Sequence, residues 1–202
     1  MLEYEQKYWN NGIQYIAGVD EAGRGPLAGP VVASAVIFAP DVLIEGVNDS
    51  KKLTEKKRET LFHLIHEKAL AVGIGIVGHE VIDRINILQA SFLAMNKAIE
   101  LLKIKPQQLL VDGNFFRHER FPVENIIKGD ALSHSIAAAS IIAKVTRDSL
   151  MKDLHDQYPE YDFAKHKGYG TKAHIEAIRK HGYSPIHRRS FHVNQLDGLE
   201  KR

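Results

Sequence analysis

Three apolar runs in this chain each finish on an acid beside glycine or another acid: Val19-Asp20-Glu21, Val111-Asp112-Gly113 and Lys128-Gly129-Asp130. A carboxylate at the end of a buried strand is poorly placed for stability, because a charge leaving water needs a partner to offset its lost hydration. One such acid is commonplace, since turns use Asp, Gly and Pro for backbone reasons and leave the acid solvated. Three suggest carboxylates gathered where neighbouring strands finish, as ligand sites in open α/β sheets often are. Asp20, Glu21, Asp112 and Asp130 would repel one another without cations. Two divalent ions about 4 Å apart would resolve this, and hard cations such as magnesium prefer carboxylate oxygens. Such a pair catalyses in-line displacement at phosphorus, one ion activating a water and the other stabilising the leaving 3′ oxygen. Gly23-Arg24-Gly25-Pro26 follows the first acids. Its glycines let backbone approach a ligand closely, and Arg24 can contact phosphate. A triphosphate-binding loop does not fit, because Arg24-Gly25 stands where that motif needs Lys then Ser or Thr.

The elements that must position these acids follow from periodicity. Residues 15–19 and the β-branched run 31–38 read as strands, as do 71–77, where glycine alternates with Val and Ile, and 108–112. The glycines of 71–77 predict close approach by a neighbour. Residues 123–130 repeat the pattern of an apolar strand followed by glycine and acid. Helices are expected over 54–70, about 80–85, and 87–102, whose Leu88, Phe92, Met95 and Ile99 form a core stripe. Residues 135–145, dominated by Ala and Ile, predict a deeply buried helix that continues with a polar face through Thr146, Arg147, Asp148, Lys152 and Asp153. A last amphipathic helix covers 171–181. Strands interspersed with helices imply an α/β fold, a mixed β-sheet flanked by helices with a helical C-terminal extension. Residues 1–202 are expected to form a single domain, with about 15–160 as core, 161–192 as a basic loop and helix, and fraying beyond. One geometric difficulty stands: adjacent strand residues point to opposite faces, so Glu21 must lie in a turn or the backbone must bend there.

The 202 residues, 44% hydrophobic and 26% charged, are those of a globular protein with one well-buried core. No apolar run is long enough to span a bilayer, and the N-terminus lacks a signal-peptide layout. Absence of cysteine removes disulfides and thiolate metal sites and is compatible with the expected cytoplasmic location. Net charge is only +2, yet 164–192 holds seven Lys or Arg against Glu176 alone, with five histidines. That suits a polyanionic partner, or equally a solvated helix with basic residues near its C-terminus.

Asp20-Glu21-Ala22-Gly23-Arg24-Gly25-Pro26, Asn48-Asp49-Ser50-Lys51-Lys52-Leu53, Val111-Asp112-Gly113-Asn114, Lys128-Gly129-Asp130, Ala137-Ala138-Ala139-Ser140-Ile141, Ala143-Lys144-Val145-Thr146-Arg147-Asp148 and His166-Lys167-Gly168-Tyr169 resemble, in order, the bacterial ribonuclease HII family. Related ribonuclease HIII carries Ser-Gly-Lys-Gly where this chain has Ala22-Gly23-Arg24-Gly25, so HII is the better match. The resemblance implies a ribonuclease H-like fold and a magnesium- or manganese-dependent endonuclease, two ions per site, acting on RNA/DNA hybrids and ribonucleotide-containing duplex DNA. It implies Asp20, Glu21, Asp112 and Asp130 as catalytic metal ligands. It places Gly23, Arg24 and Gly25 at the ribose 2′-hydroxyl, Ser50 and Lys51 on the backbone, and Tyr169 on the substrate. A monomer is expected, with a role in removing ribonucleotides from DNA.

Other residues carry less. Asp148, Asp153 and Asp156 are expected to be solvated, although Arg147 and Asp148 could pair behind the site. No histidine pair has zinc-site spacing with an acid, and His63 and His66 read as surface residues. His187-Arg188-Arg189 serves either packing or phosphate contact. Two rival functions exist: a phosphotransferase holding magnesium and ATP, which needs a second lobe, and a non-catalytic basic module whose acids are structural.

Overall fold

The computed structural model describes residues 1–196 and 198. Helix α1 (Glu3–Trp9) precedes strands β1 (Ile16–Ala22) and β2 (Val31–Ile37). After a 3-10 turn at Ser50–Lys52 come α2 (Glu55–Lys68), β3 (Ala71–Val77), α3 (His79–Ile85) and α4 (Ile87–Glu100). Strands β4 (Gln108–Asp112) and β5 (Val123–Ile126) lead into α5 (Gly129–Leu132) and the long α6 (His134–Gln157). Helices α7 (Phe163–His166) and α8 (Lys172–His181) follow. The five strands make one mixed sheet in the order β3-β2-β1-β4-β5. Strand β2 is antiparallel to both neighbours, whereas β1–β4 and β4–β5 are parallel. Among the described residues no helix is long and apolar enough to cross a membrane.

Helix α4 covers one face, where Ala17, Val19, Ala33, Ala35 and Val111 meet Ala90, Ala94, Met95 and Ala98. The approach is close because a Cβ on Gly73 or Gly75 would collide with the carbonyl oxygens of Ala98 and Ala94. Of the expected stripe, Met95 and Ile99 are buried and Phe92 packs against the same cluster, whereas Leu88 is 38% exposed. Ala94 and Ala98 sit over the glycines of β3, since only small residues let a helix rest on a glycine-lined strand. Helix α6 covers the other face, packing Ala137, Ala138 and Ile141 with Val36 and with Leu61 and Ile65 of α2. Gly18 brings it onto β1, because a Cβ there would strike the Ser135 backbone.

A separate apolar cluster of Met151, Tyr161, Phe163, Ile175, Ile178 and Leu196 seats α7 and α8 against the far half of α6 and Ala28 of the loop after β1. Fraying expected after 192 is corrected for Asn194–Leu196, which form a 3-10 turn with Leu196 buried. The rest of that expectation falls on residue 197 and residues 199–202, outside the described residues.

Candidate active site

Asp20 and Glu21 are the penultimate pair of β1, still in register opposite Ser34 and Ala33. Glu21 is therefore not in a turn. The strand runs through both acids, and the chain turns only at Gly23, whose φ of 97° is open to glycine. The parallel register pairing Val19 with Val111 brings Asp20 level with Asp112. Asp130 corrects the pattern of three strand-end acids: β5 stops at Ile126, Lys128 adopts a left-handed conformation, and Asp130 sits in the short helix α5. This detour lets the Gly129 amide donate to Asp112 Oδ1 at 2.7 Å.

The acids are close enough to disturb one another. Asp20 is 4% exposed, and burial, then the charges of Glu21 and Asp112, push its carboxyl well above the usual range. Burial also raises Glu21, with Asp112 adding to it and Arg24 opposing. Burial, Asp49 and Asp112 raise Asp130, against Lys51. Asp112 thus stands between the β1 pair and Asp130. The present partners are Arg24 Nη1, 3.2 Å from Glu21 Oε1, and Lys51 Nζ, 3.5 Å from Asp130 Oδ2. Among the described residues no three His, Cys, Asp or Glu side chains already close into a cation cage. The donors nonetheless fit a hard divalent cation, being all oxygen, anionic and mutually repulsive.

The residues expected on the substrate side flank this cluster. Lys51 is exposed at the end of the turn that Asp49 caps by accepting from the Lys51 amide. Ser50 is different: it is buried and its Oγ lies 2.8 Å from Ser140 Oγ, while Ser140 bonds Asp20. Its hydroxyl therefore faces inward, behind the acids. Arg24 and Gly25 are exposed, and Tyr169 lies beside them, 3.6 Å from where a Gly25 Cβ would be.

Two arginines hold this loop from inside. Arg188 is 1% exposed and donates to the carbonyls of Gly23 (2.6 Å), Arg24 (2.9 Å), Gly29 (3.0 Å) and Pro30 (3.1 Å). Arg147, also buried, donates to Pro30 and Ala28 and, at 3.0 Å, to Lys167 of the Tyr169 loop. Packing, not phosphate contact, is thus the place of Arg188. Neither reading of Asp148 holds, solvation or the alternative pair with Arg147. Asp148 is buried, not solvated, and its partners are Lys144 at 2.7 Å and Arg58 at 3.9 Å. Asp153 and Asp156 are exposed, as are His63 and His66. Asp49 and the buried His174 of α8 are what the sequence reading did not single out, whereas His187 entered it only together with Arg188 and Arg189. The only signal was the Asn48-Asp49-Ser50-Lys51 motif for the first, and the histidine-rich tail for the second.

Residues 17–194 match the sequence model of the family described as Ribonuclease HII. A "Ribonuclease HII" of Clostridioides difficile (strain 630) is 58% identical over 193 residues, 96% of this chain and 76% of that protein. One from Acholeplasma laidlawii (strain PG-8A) is 58% identical over 190 residues, 94% of this chain and 93% of the relative. Among solved structures, the ribonuclease H2 of Pyrococcus horikoshii OT3 superposes with a TM-score of 0.73 at 31% identity, over 88% of this chain and 93% of that one.

Proposed function

The chain belongs to the ribonuclease HII family and is a ribonuclease H, and from that premise we propose that it cuts the phosphodiester 5′ of ribonucleotides. The substrates are RNA/DNA hybrids and single ribonucleotides embedded in duplex DNA, the products carry 3′-hydroxyl and 5′-phosphate ends, and the role is ribonucleotide removal from DNA. The observation that carries the reading is the convergence of Asp20 and Asp130, both buried, with the half-buried Glu21 and Asp112, their charges opposing one another beside Gly23-Arg24-Gly25 and Tyr169. Asp20, Glu21, Asp112 and Asp130 would hold two divalent ions, magnesium or manganese, which would supply an activated water and stabilise the leaving 3′ oxygen.

The chain's own residues do the rest. The Gly23-Arg24-Gly25 loop, braced by Arg188, presents its backbone to one ribose, a contact that deoxyribose cannot return because it lacks the 2′-hydroxyl. Tyr169 sets its ring against the sugar on the 3′ side, where deoxyribose packs without a hydroxyl in the way. Lys51 meets the phosphate backbone, and Ser50 acts from behind through Ser140. In this reading residues 1–202 are one catalytic domain that works as a monomer in the cytoplasm.

Replacing Asp112 by Asn tests the assignment. Cleavage of a duplex with one embedded ribonucleotide should fall by about 1,000-fold or more while duplex binding persists. Unchanged cleavage would make the acids structural, and rapid cutting of all-DNA duplex would end the ribose argument.

A further inference from the structure

The loop that carries Tyr169 rests on histidines. His174 of α8 sets its Nδ1 2.9 Å from the Tyr169 carbonyl oxygen and its Nε2 3.0 Å from Nε2 of His187. His187 Nδ1 lies 2.8 Å from the Ser184 amide nitrogen and 2.7 Å from Ser184 Oγ. Both rings are fully buried.

The ends of this chain determine where each hydrogen sits. An amide N–H can only donate, so His187 Nδ1 is the bare nitrogen and its Nε2 carries the hydrogen. That hydrogen points at His174 Nε2, which must accept. The His174 hydrogen is then on Nδ1, aimed at a carbonyl that can only accept. Donation runs one way, from Ser184 through both rings to Tyr169. His166 stacks on His174 with centroids 4.4 Å apart, and its Nδ1 accepts from the Gly168 amide at 3.2 Å. Its Nε2 then donates to the Tyr161 carbonyl at 2.7 Å. Histidines therefore hold the backbone on both sides of the Gly168–Tyr169 bond.

Only neutral rings can do this: a further proton on His174 would sit on Nε2 and meet the His187 Nε2 hydrogen, and one on His187 would sit on Nδ1 and meet the Ser184 amide hydrogen. The surroundings favour the neutral form. Phe163, Tyr161 and Tyr183 pack against His187, and the charged groups bearing on it, Arg189 and its neighbouring histidines, all oppose a further proton. Asp162, Lys167 and His155 bear on His166 instead. Burial pushes His174 down to about 4 and His187 to about 3. A leucine at 187 would fill the space but could not orient its neighbour.

We propose that His174 and His187 are positioning residues for substrate reading: their one-way hydrogen-bond chain fixes the main chain of Tyr169 and so aims its ring at the sugar beside the ribonucleotide. This rests on the reading of Tyr169 given above. Reading needs placement within about 0.5 Å, which a directional bond to the carbonyl secures and apolar filling does not.

Nitrogen-15 spectra of the histidine rings in the unaltered protein at pH 7 test the chain without any activity assay. His174 should carry its hydrogen on Nδ1 and His187 on Nε2, and the opposite tautomer at either would overturn the proposal. Cleavage then separates orientation from bulk. His187→Gln keeps an N–H near the Nε2 position, whereas His187→Leu fills the space without one. His187→Gln should keep the preference for single-ribonucleotide duplex over continuous hybrid to within about twofold, and His187→Leu should lose about tenfold of it. Equal preference in the two variants would overturn positioning. Tyr169→Ala distinguishes the failures. Preference lost there but kept in His187→Leu refutes the histidine chain, whereas preference kept in Tyr169→Ala refutes the reading of the tyrosine and with it the chain's role.

Discussion

Arg188 and Lys51 are both cations beside the candidate active site, one against the Gly23 and Arg24 carbonyls and the other against Asp130, and their surroundings set them apart. The Arg188 guanidinium is committed to carbonyls of residues 23, 24, 29 and 30, leaving it no face toward phosphate. Arg188→Met should cost about 3 kcal/mol or more, because buried carbonyls lose charge-assisted donors. It should also slow cleavage, since the Gly23-Arg24-Gly25 loop loses its brace. The salt dependence of duplex affinity should stay unchanged, because that slope counts phosphates neutralised. Lys51, with an exposed amine, should behave the other way. Lys51→Ala should reduce the slope of log affinity against log salt by about 1 with little change in stability. Affinity titrations across a salt series check both, and a flatter slope for Arg188→Met would return that arginine to the substrate.

At the scale of elements, two glycine contacts set how the layers sit on the sheet. Gly75 lets α4 rest on β3, and Gly18 lets α6 rest on β1 two residues before Asp20. A methyl group at either must push backbone, a strain of about 1–3 kcal/mol. Gly75→Ala should therefore lower the melting temperature while leaving kcat/KM of the folded protein within about twofold. Gly18→Ala should lower both, because the helix it displaces carries Ser140, which bonds Asp20. Thermal unfolding paired with kinetics distinguishes the two. Equal kinetic damage would mean that the sheet transmits displacement from one face to the other.

For the molecule as a whole, metal and protons act on stability through linkage. Chelation should abolish cleavage, and restoring magnesium or manganese to about 100 times its Kd should stabilise the fold by about 2.7 kcal/mol, read as a rise in melting temperature. Full activity in excess chelator would end the two-metal mechanism. The histidines give a second dependence. His174 and His187 titrate near 4 and near 3 when folded, below the ordinary histidine value of 6.5. The unfolded chain therefore binds more protons between those limits, so their contribution is complete above 6.5 and is lost as pH falls toward 3. At pH 5 each costs roughly 2 kcal/mol relative to neutral pH. Urea unfolding at pH 7 and pH 5 should show a smaller difference for His187→Gln than for the unaltered chain, and an identical difference would mean that His187 is not held neutral by the fold.

The chain's sequence by itself determined its family, the alternation of strands and helices, and the clustering of four acids, because each is written in short motifs or in periodicity over a few residues. Close packing on 71–77 was legible in the same way, since glycine every second residue means a missing side chain on one face. Only the tertiary structure decided that Glu21 keeps its strand partner, that Asp130 sits on a helix, and that Ser50 faces Ser140. It alone decided that Arg188 braces a loop 158–165 positions away in the chain. In sequence, Arg188 is one more basic residue in a basic tail, and His174 and His187 are two of eleven histidines. The physical reason is that local pattern records which way a residue prefers to face, whereas the partners of a buried donor are chosen when distant segments close around it, and burial then decides whether a charge meets solvent, substrate or backbone.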